Sequence, residues 1–457
     1  MKGPVKKRRV RAGSTCLSLS ILLRTRLKPI SEISTQQDIH RPLSVVIVGA
    51  GIAGLAAAVA LRRNGFGVQI YESAEFKTEI GAALGVPVNA QRVLEELGYS
   101  KENLKSVVNE GFVQFSPDGG AGQAHPWLLP SLASKPNLLC HRSDLHAELE
   151  RLALGPGEGP PAVLHLARRV LQCDPEAGTL TLNDGTVVES DLIVGADGVS
   201  SVVRTCILGH QQKAEGSGFS VYRAVIEVSK LDTSGSLAWF NEGISGPRMI
   251  AKREGPFRML GMYPCRNGTL INFVAAFADP HQNEPGWSAE GTRTEVQTLF
   301  ADFHAQYQAV LAELPDQVLK WRLLSMPVLP TWVRGRAALV GDAAHTTLPT
   351  LGQGAALAIE SAAALRALLP AGTARTDVPA RLAAYEALRK PRGELVVRES
   401  LAQLAGPAKI KNRPQDGADS IIISSAAAKD LQEYLMEYDA TKVAEEYLQE
   451  KFGGVEV

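Results

Sequence analysis

The sequence carries no net charge, because 48 Lys and Arg balance 48 Asp and Glu over 457 residues. Bulk electrostatics therefore do not point to nucleic acid as a partner. Cysteine is sparse: Cys16, Cys140, Cys173, Cys206 and Cys265 are odd in number and never form a CxxC pair. That argues against a disulfide framework or a zinc site and fits a reducing compartment. The nine histidines show no HxH or HxxxH pair, so no metal is expected. No apolar run reaches the ~20 residues that cross a bilayer; the stretch 17–23 is interrupted by Ser18 and Ser20. Internal repeats are absent.

Acid is also missing at the start. Lys2, Lys6, Lys7, Arg8, Arg9, Arg11, Arg24, Arg26 and Lys28 precede the first carboxylate, Glu32. Three readings of residues 1–40 stay open: a mitochondrial transit peptide, a nuclear signal at Lys6-Lys7-Arg8-Arg9, and a disordered leader or start codon placed too early. The compartment expected is the cytoplasm, or the mitochondrion if the leader is a transit peptide. Length allows two or three domains, and 45% hydrophobic with 21% charged residues is ordinary for a globular enzyme.

Three glycine-centred segments are present, each after a short apolar run. In Gly49-Ala50-Gly51-Ile52-Ala53-Gly54, Gly49 permits the tight turn, Gly51 close approach of backbone to a pyrophosphate, and Gly54 packing of helix on strand. The strand before it, the alanine-rich helix after it, and Glu72 ending a second strand complete a dinucleotide fold. There the acid meets a ribose hydroxyl, and a helix N-terminus faces the phosphates. The late segment joins Gly341-Asp342-Ala343-Ala344-His345 to Pro349-Thr350-Leu351-Gly352-Gln353-Gly354-Ala355. Asp342 suits a ribityl hydroxyl; Gly352 and Gly354 allow close backbone approach before a helix whose N-terminus favours negative charge on a reduced flavin. The middle segment is Gly195-Ala196-Asp197-Gly198, with Arg204 on the helix after it as either a ligand or a capping residue.

The expected fold is α/β: a doubly wound, Rossmann-like FAD-binding domain with an inserted antiparallel β-sheet substrate domain and C-terminal helices. Expected boundaries are 1–40 for the leader, 41–215 and 331–405 for the two parts of the FAD domain, 216–330 for the inserted sheet, and 406–457 for a linker and helical tail. Within these, 162–171 and 179–189 read as antiparallel, 237–241 as a strand, 292–311 as one helix and 426–448 as another.

On these motifs the chain resembles the group A flavoprotein monooxygenases with the para-hydroxybenzoate hydroxylase fold, and within them the salicylate hydroxylase-like and fungal phenol hydroxylases. The resemblance spans about 43–401 and includes Ile80-Gly81-Ala82-Ala83 leading to Pro87-Val88-Asn89, and His141-Arg142-Ser143-Asp144-Leu145. It implies FAD contacts at Ala83, Arg142 and Asp197. It also implies hydroxylation of a phenolic or aromatic-acid substrate through a flavin C4a-hydroperoxide, with NADPH or NADH as transient reductant, in aromatic secondary metabolism or catabolism. Arg223 is the expected partner of a phenolate or carboxylate, and Tyr263 that of a substrate hydroxyl, though an ordinary strand aromatic is an equal reading. His345 reads as a packing residue. Two departures stand out: Glu360-Ser361 replaces the family's Glu-Asp, and Gly81-Ala82-Ala83 replaces its Gly-Ala-Gly. Alternatives are a same-fold epoxidase or oxidase on a non-aromatic substrate, a non-catalytic flavin-binding protein, and an NAD-dependent dehydrogenase. The last has no use for the late flavin motif. A monomer or homodimer is expected.

Overall fold

The computed structural model describes residues 41–75, 82–231, 235, 237–280, 288–405 and 426–453. The basic leader, Ile80 and Gly81, and the expected linker 406–417 lie outside the described residues. The chain divides into Met1–Arg41 and Pro42–Val457, and all that follows concerns the second unit.

Ser44–Val48 is apolar after its first residue, and it is a central strand with both faces covered. It pairs in parallel with Gly67–Tyr71 on one side and Leu192–Gly195 on the other. The six-stranded sheet runs Val333–Arg334, Ala337–Leu339, Leu192–Gly195, Ser44–Val48, Gly67–Tyr71, Val163–His165, antiparallel only at the Val333–Arg334 edge. Val48 is opposite Gly195, and Gly195 is opposite Leu339. The three glycine segments therefore leave the same edge of three adjacent strands, which is where open parallel sheets bind ligands.

Helix α1 (Ile52–Arg62) follows the first strand, and α2 (Val88–Glu96) and α3 (Arg142–Leu154) lie further along the chain. A small antiparallel sheet, Ala83–Val86 with Asn137–His141 and Val107–Asn109, brings the start of α3 beside Ala83. The 162–171 stretch is not the antiparallel arm expected. Val163–His165 joins the parallel sheet, and the hairpin sheet is Val170–Asp174, Thr179–Leu182 and Val187–Glu189. Ala167 divides the two with a φ of 56°, held by Ala167 N–H and Arg168 N–H donating to Ala74 and Glu72 carbonyls. After Leu192–Gly195 comes α4 (Val202–Leu208).

The second large sheet has eight strands: Ser288–Thr292, Gln317–Ser325, Glu215–Glu227, Leu270–Ala278, Arg258–Cys265, Arg248–Lys252, Gly111–Phe115 and Gln123–Pro126. Every pairing is antiparallel except Arg248–Lys252 with Gly111–Phe115. Two of its strands thus come from well before residue 216. Residues 237–241 are not a strand; Ala238–Asn241 is a single 3-10 turn. Trp239 and Phe240 are both buried at consecutive positions of that turn, and Trp239 sits edge-on to Phe115 and Tyr307. The expected 292–311 helix is two, α5 (Arg293–Leu299) and α6 (Ala305–Ala312). Phe300 and Phe303 fill the core between them, and the His304 ring restarts the chain as a cap.

The chain returns through α7 (Asp342–His345) to α8 (Gly354–Leu368), which lies along α1. Both helices are rich in alanine and buried nearly all round, so their backbones can approach closely. The long α9 (Val378–Ala405) follows. The expected 426–448 helix is broken into α10 (Ala426–Met436) and α11 (Ala440–Phe452), because Asp439 caps α11 by accepting from Lys442 N–H.

Candidate active site

Gly49 has φ +102°, and a Cβ there would lie 2.5 Å from the Ala196 carbonyl oxygen. A Cβ on Gly54 would lie 2.0 Å from the Gly49 carbonyl oxygen, so α1 can meet the strand only without a side chain. Gly51 is different. Nothing of the protein lies within 4 Å of its would-be Cβ, and it is the residue preceding α1. The first N–H groups of a helix have no acceptor within it, so open space here faces ready donors. Glu72 accepts from Ala50 N–H and Ala74 N–H, both at 2.8 Å, fixing the turn against the end of the second strand. From the other side His146 Nε2 meets the Ala50 carbonyl at 2.8 Å.

Asp342 opens α7, where Gly341 has φ 60° and packs on Ala53 of α1. Burial pushes the Asp342 carboxyl up from its ordinary value, and the Arg142 guanidinium opposes the shift. Arg142, the first residue of α3, also acts on Arg223. Arg223 stands on Glu215–Glu227 with its guanidinium 5.0 Å from the Trp321 ring centroid, and its buried Nε has no hydrogen-bond partner. Burial lowers its pKa, partly countered by Tyr263 and reinforced by Arg142. Tyr263 donates its hydroxyl to the Ala83 carbonyl at 2.7 Å. Burial pushes the Tyr263 phenol up to about 12 against the pull of Arg223. Arg223, Tyr263 and Asp342 all keep accessible surface although protein surrounds them, as groups lining a cleft do.

Gly352 has φ 63° with open space beside it; Gly354, at the start of α8, has only Thr347 near its would-be Cβ; and Ala355 is half-buried. The carboxylate of Asp197, the third cofactor residue that the resemblance implies, is engaged by its own turn. Its carboxylate accepts from Ser201 Oγ and from Val202 and Val203 N–H, starting α4, while burial raises its pKa against those bonds. Arg204 is buried on α4 and donates to the Gln212, Ala343 and Val199 carbonyls. It thereby ties the turn after Asp197 to the one after Gly341.

Sequence reasoning missed three groups. Asn272 is fully buried opposite Tyr263 and accepts from Ala83 N–H at 3.0 Å, while its Nδ2 has no partner. A lone amide in the apolar strand Leu270–Ala278 was the available signal. Second, Asn89 Nδ2 donates to Gln353 Oε1 and Glu360 Oε1, and Glu360 binds both Arg389 and Arg392. Burial raises the Glu360 carboxyl, but the two guanidiniums override it and hold it at about 2. This is where the Glu360-Ser361 departure leads: Arg392 goes on to the Tyr434 and Leu435 carbonyls of α10. Third, Arg266 at a hairpin tip binds Asp144 of α3 through Nε and Nη2. His345 is buried against Trp332 with neither ring nitrogen bonded, and burial with Arg389 lowers its pKa to about 4. Among the described residues there is no cluster suited to a metal, and no helix long and apolar enough to cross a membrane.

Residues 167–400 match the FAD binding domain family and residues 47–76 an NAD(P)-binding Rossmann-like domain. The chain is 42% identical over 370 residues to hispidin-3-hydroxylase of Neonothopanus nambi, covering 78% of this chain and 87% of that protein. It is 30% identical over 406 residues to salicylate hydroxylase of Pseudomonas putida, covering 84% and 90%. Its fold matches that of CtdE in complex with FAD and a substrate with a TM-score of 0.73, at 21% identity and covering 89% and 98%. The chain belongs to the FAD-dependent monooxygenases of the aromatic hydroxylase type.

Proposed function

We propose that the enzyme hydroxylates a phenol or aromatic acid bound as its anion, with Arg223 as the counter-charge and Tyr263 as the second contact. The observation that carries this reading is Arg223. It is a partly buried arginine with an unbonded Nε, its pKa lowered by burial and by Arg142, and no carboxylate figures among the groups acting on it. A buried cation is costly unless paired, so an anionic ligand gains most at that point. The guanidinium lies over the Trp321 ring, and a planar guanidinium suits a carboxylate or phenolate. Tyr263 has committed its proton to Ala83, so its oxygen remains as an acceptor for a substrate O–H.

The residues present fit FAD. There is open space beside Gly51 and Gly352, the starts of α1 and α8 supply donors, and Asp342 has an accessible carboxylate; Gly51 and Asp342 follow the C-terminal ends of strands of the same parallel sheet. In this reading Gly49, Gly54 and Glu72 shape the dinucleotide turn, and Asp342 and Arg142 meet the polar parts of the cofactor. Gly354 and Ala355 offer backbone N–H groups, Ala83 lines the site, and Asp197 acts by holding its turn. FAD, reduced by NADH or NADPH in the presence of O2, supplies the oxygen-transfer chemistry. The protein's own work is to hold the ring, stabilise the phenolate and keep out water.

The test is a panel of phenols and aromatic acids, including hispidin and salicylate, scored for stimulated NAD(P)H oxidation with product mass recorded. A gain of one oxygen is expected, with CO2 lost as well if the substituted carbon is attacked. Oxidation that yields only peroxide with every compound would refute the substrate class.

A further inference from the structure

Outside the cleft, two thiols from different elements meet. Cys173 lies buried in the strand Val170–Asp174, and Cys206 lies half-buried on α4, which packs against that strand. The Cys173 backbone N–H donates to Cys206 Sγ at 3.3 Å, which brings the Cys206 sulfur against the residue that carries the other thiol. Cys140 and Cys265 are buried, and neither has such a donor among the described residues.

We propose that Cys173 and Cys206 are a peroxide-oxidised dithiol, with Cys206 as the attacking sulfur and Cys173 as the resolving one. Its interaction with the Cys173 side chain and N–H favours the anion at Cys206, lowering its pKa below the ordinary thiol value. Burial, Asp197 and Asp174 act in the opposite direction, and Cys173 moves up. It is the thiolate that reacts with peroxide. The Cys206 sulfur attacks one oxygen of hydrogen peroxide; the S–O bond forms, the O–O bond breaks, and the departing hydroxide takes a proton to give water. The Cys173 thiol then loses its proton and attacks the resulting sulfenic acid; the S–S bond forms, the S–O bond breaks, and a second water leaves. Two thiols are oxidised by two electrons, and one peroxide is reduced to two waters. The oxidant is at hand in the enzyme's own chemistry, because NAD(P)H and O2 give hydrogen peroxide whenever oxygen is not transferred to a substrate. The position also has a route to the cleft: Arg204, two residues before Cys206 on α4, holds the Ala343 carbonyl in the turn after Asp342.

The test uses reduced, FAD-loaded enzyme titrated with hydrogen peroxide, quenched with an alkylating reagent and mapped by peptide mass. Expected is a joint loss of label from Cys173 and Cys206, with a linked peptide lighter by two hydrogens that dithiothreitol restores. Cys140 and Cys265 keep their label. In Cys173→Ser, Cys206 should be trapped as a sulfenic acid adduct, and in Cys206→Ser, Cys173 should not react. The reaction rate should rise with pH around a midpoint below that of an ordinary thiol. The proposal is overturned if both thiols stay alkylatable at doses that oxidise dithiothreitol, or if Cys206 passes to sulfinic acid with Cys173 still free.

Discussion

The two sheets offer different kinds of contact. At the edge of the six-stranded parallel sheet, the contacts offered are backbone: turns at Gly49, Gly341 and Gly352, and the first N–H groups of α1 and α8. On the eight-stranded sheet they are side chains, Arg223 and Tyr263, projecting from strands whose remaining residues build a core. Backbone recognition tolerates little change in residue type, because the space is defined by what is absent. Side-chain recognition rests on individual groups that can be exchanged while the sheet stays folded. That division suits the proposed roles, the first sheet for a cofactor, which does not vary, and the second for a substrate, which does.

The sharpest way to break that contrast is at the glycines. Gly54→Val puts a side chain into the Gly49 carbonyl at 2.0 Å. Overpacking of this kind costs about 1–3 kcal/mol or more, and since it separates α1 from the strand, purification should give colourless or insoluble protein. Gly51→Ala meets no protein atom within 4 Å. Its unfolding should stay within about 0.5 kcal/mol of wild type without cofactor, while FAD affinity, read by fluorescence titration, falls at least about tenfold, or ~1.4 kcal/mol. Equal loss of apo-protein stability in both variants would show that the space beside Gly51 is not ligand space.

Glu360→Gln tests the support beneath that edge. It leaves Arg389 and Arg392 buried without their counter-charge, and breaking a buried ion cluster costs about 3–5 kcal/mol. The sign with pH follows from the depressed carboxyl. The wild-type contribution is complete above the ordinary value of 4.5 and is lost as pH falls toward about 2. Denaturant midpoints should therefore decline through that window more steeply in wild type than in the variant, and parallel profiles would place the stabilisation elsewhere.

The same contrast explains what could be read from sequence. Glycine turns are local: a positive φ or a close approach demands glycine within a few residues of the strand that precedes it, so Gly49 and Gly341 announce themselves. The Glu360 cluster joins residues 29 and 32 positions apart and ends on carbonyls of α10, and no spacing rule connects them. Gly111–Phe115 joins the second sheet through a parallel pairing with Arg248–Lys252, a partner more than a hundred residues away. At 237–241 the apolar content was legible but not its period, because Trp239 and Phe240 both turn inward. Arg223 was legible as an unusual residue in a strand; Asn272 was equally so and carried the same signal.

On the substrate side, Arg223→Leu should separate stability from activity. Removing a cation whose Nε is buried and unbonded is expected to raise the thermal midpoint of the substrate-free enzyme, by about 1 kcal/mol equivalent. FAD affinity should be unchanged. Substrate-stimulated NAD(P)H oxidation should drop by about two orders of magnitude, the cost of losing one member of a buried charge pair. Full turnover in this variant would favour a non-aromatic substrate over the phenolate reading.

The smallest effect belongs to Tyr263→Phe. Its hydroxyl proton is held by the Ala83 carbonyl, and the phenol titrates near 12, so it neither loses a proton at working pH nor has one to give the substrate. Loss of that hydrogen bond should cost about 1 kcal/mol of stability. It should also loosen Ala83, which Asn272 still holds through its N–H at 3.0 Å. An acceptor for one substrate hydroxyl is worth about 0.5–1.5 kcal/mol, so KM should rise less than about tenfold while kcat changes little. Between pH 7 and 10 the profiles of variant and wild type should run parallel. A limb in kcat that disappears in Tyr263→Phe would make Tyr263 an acid or base, and the division between a backbone-built cofactor edge and a substrate sheet that merely positions would then fail at Tyr263.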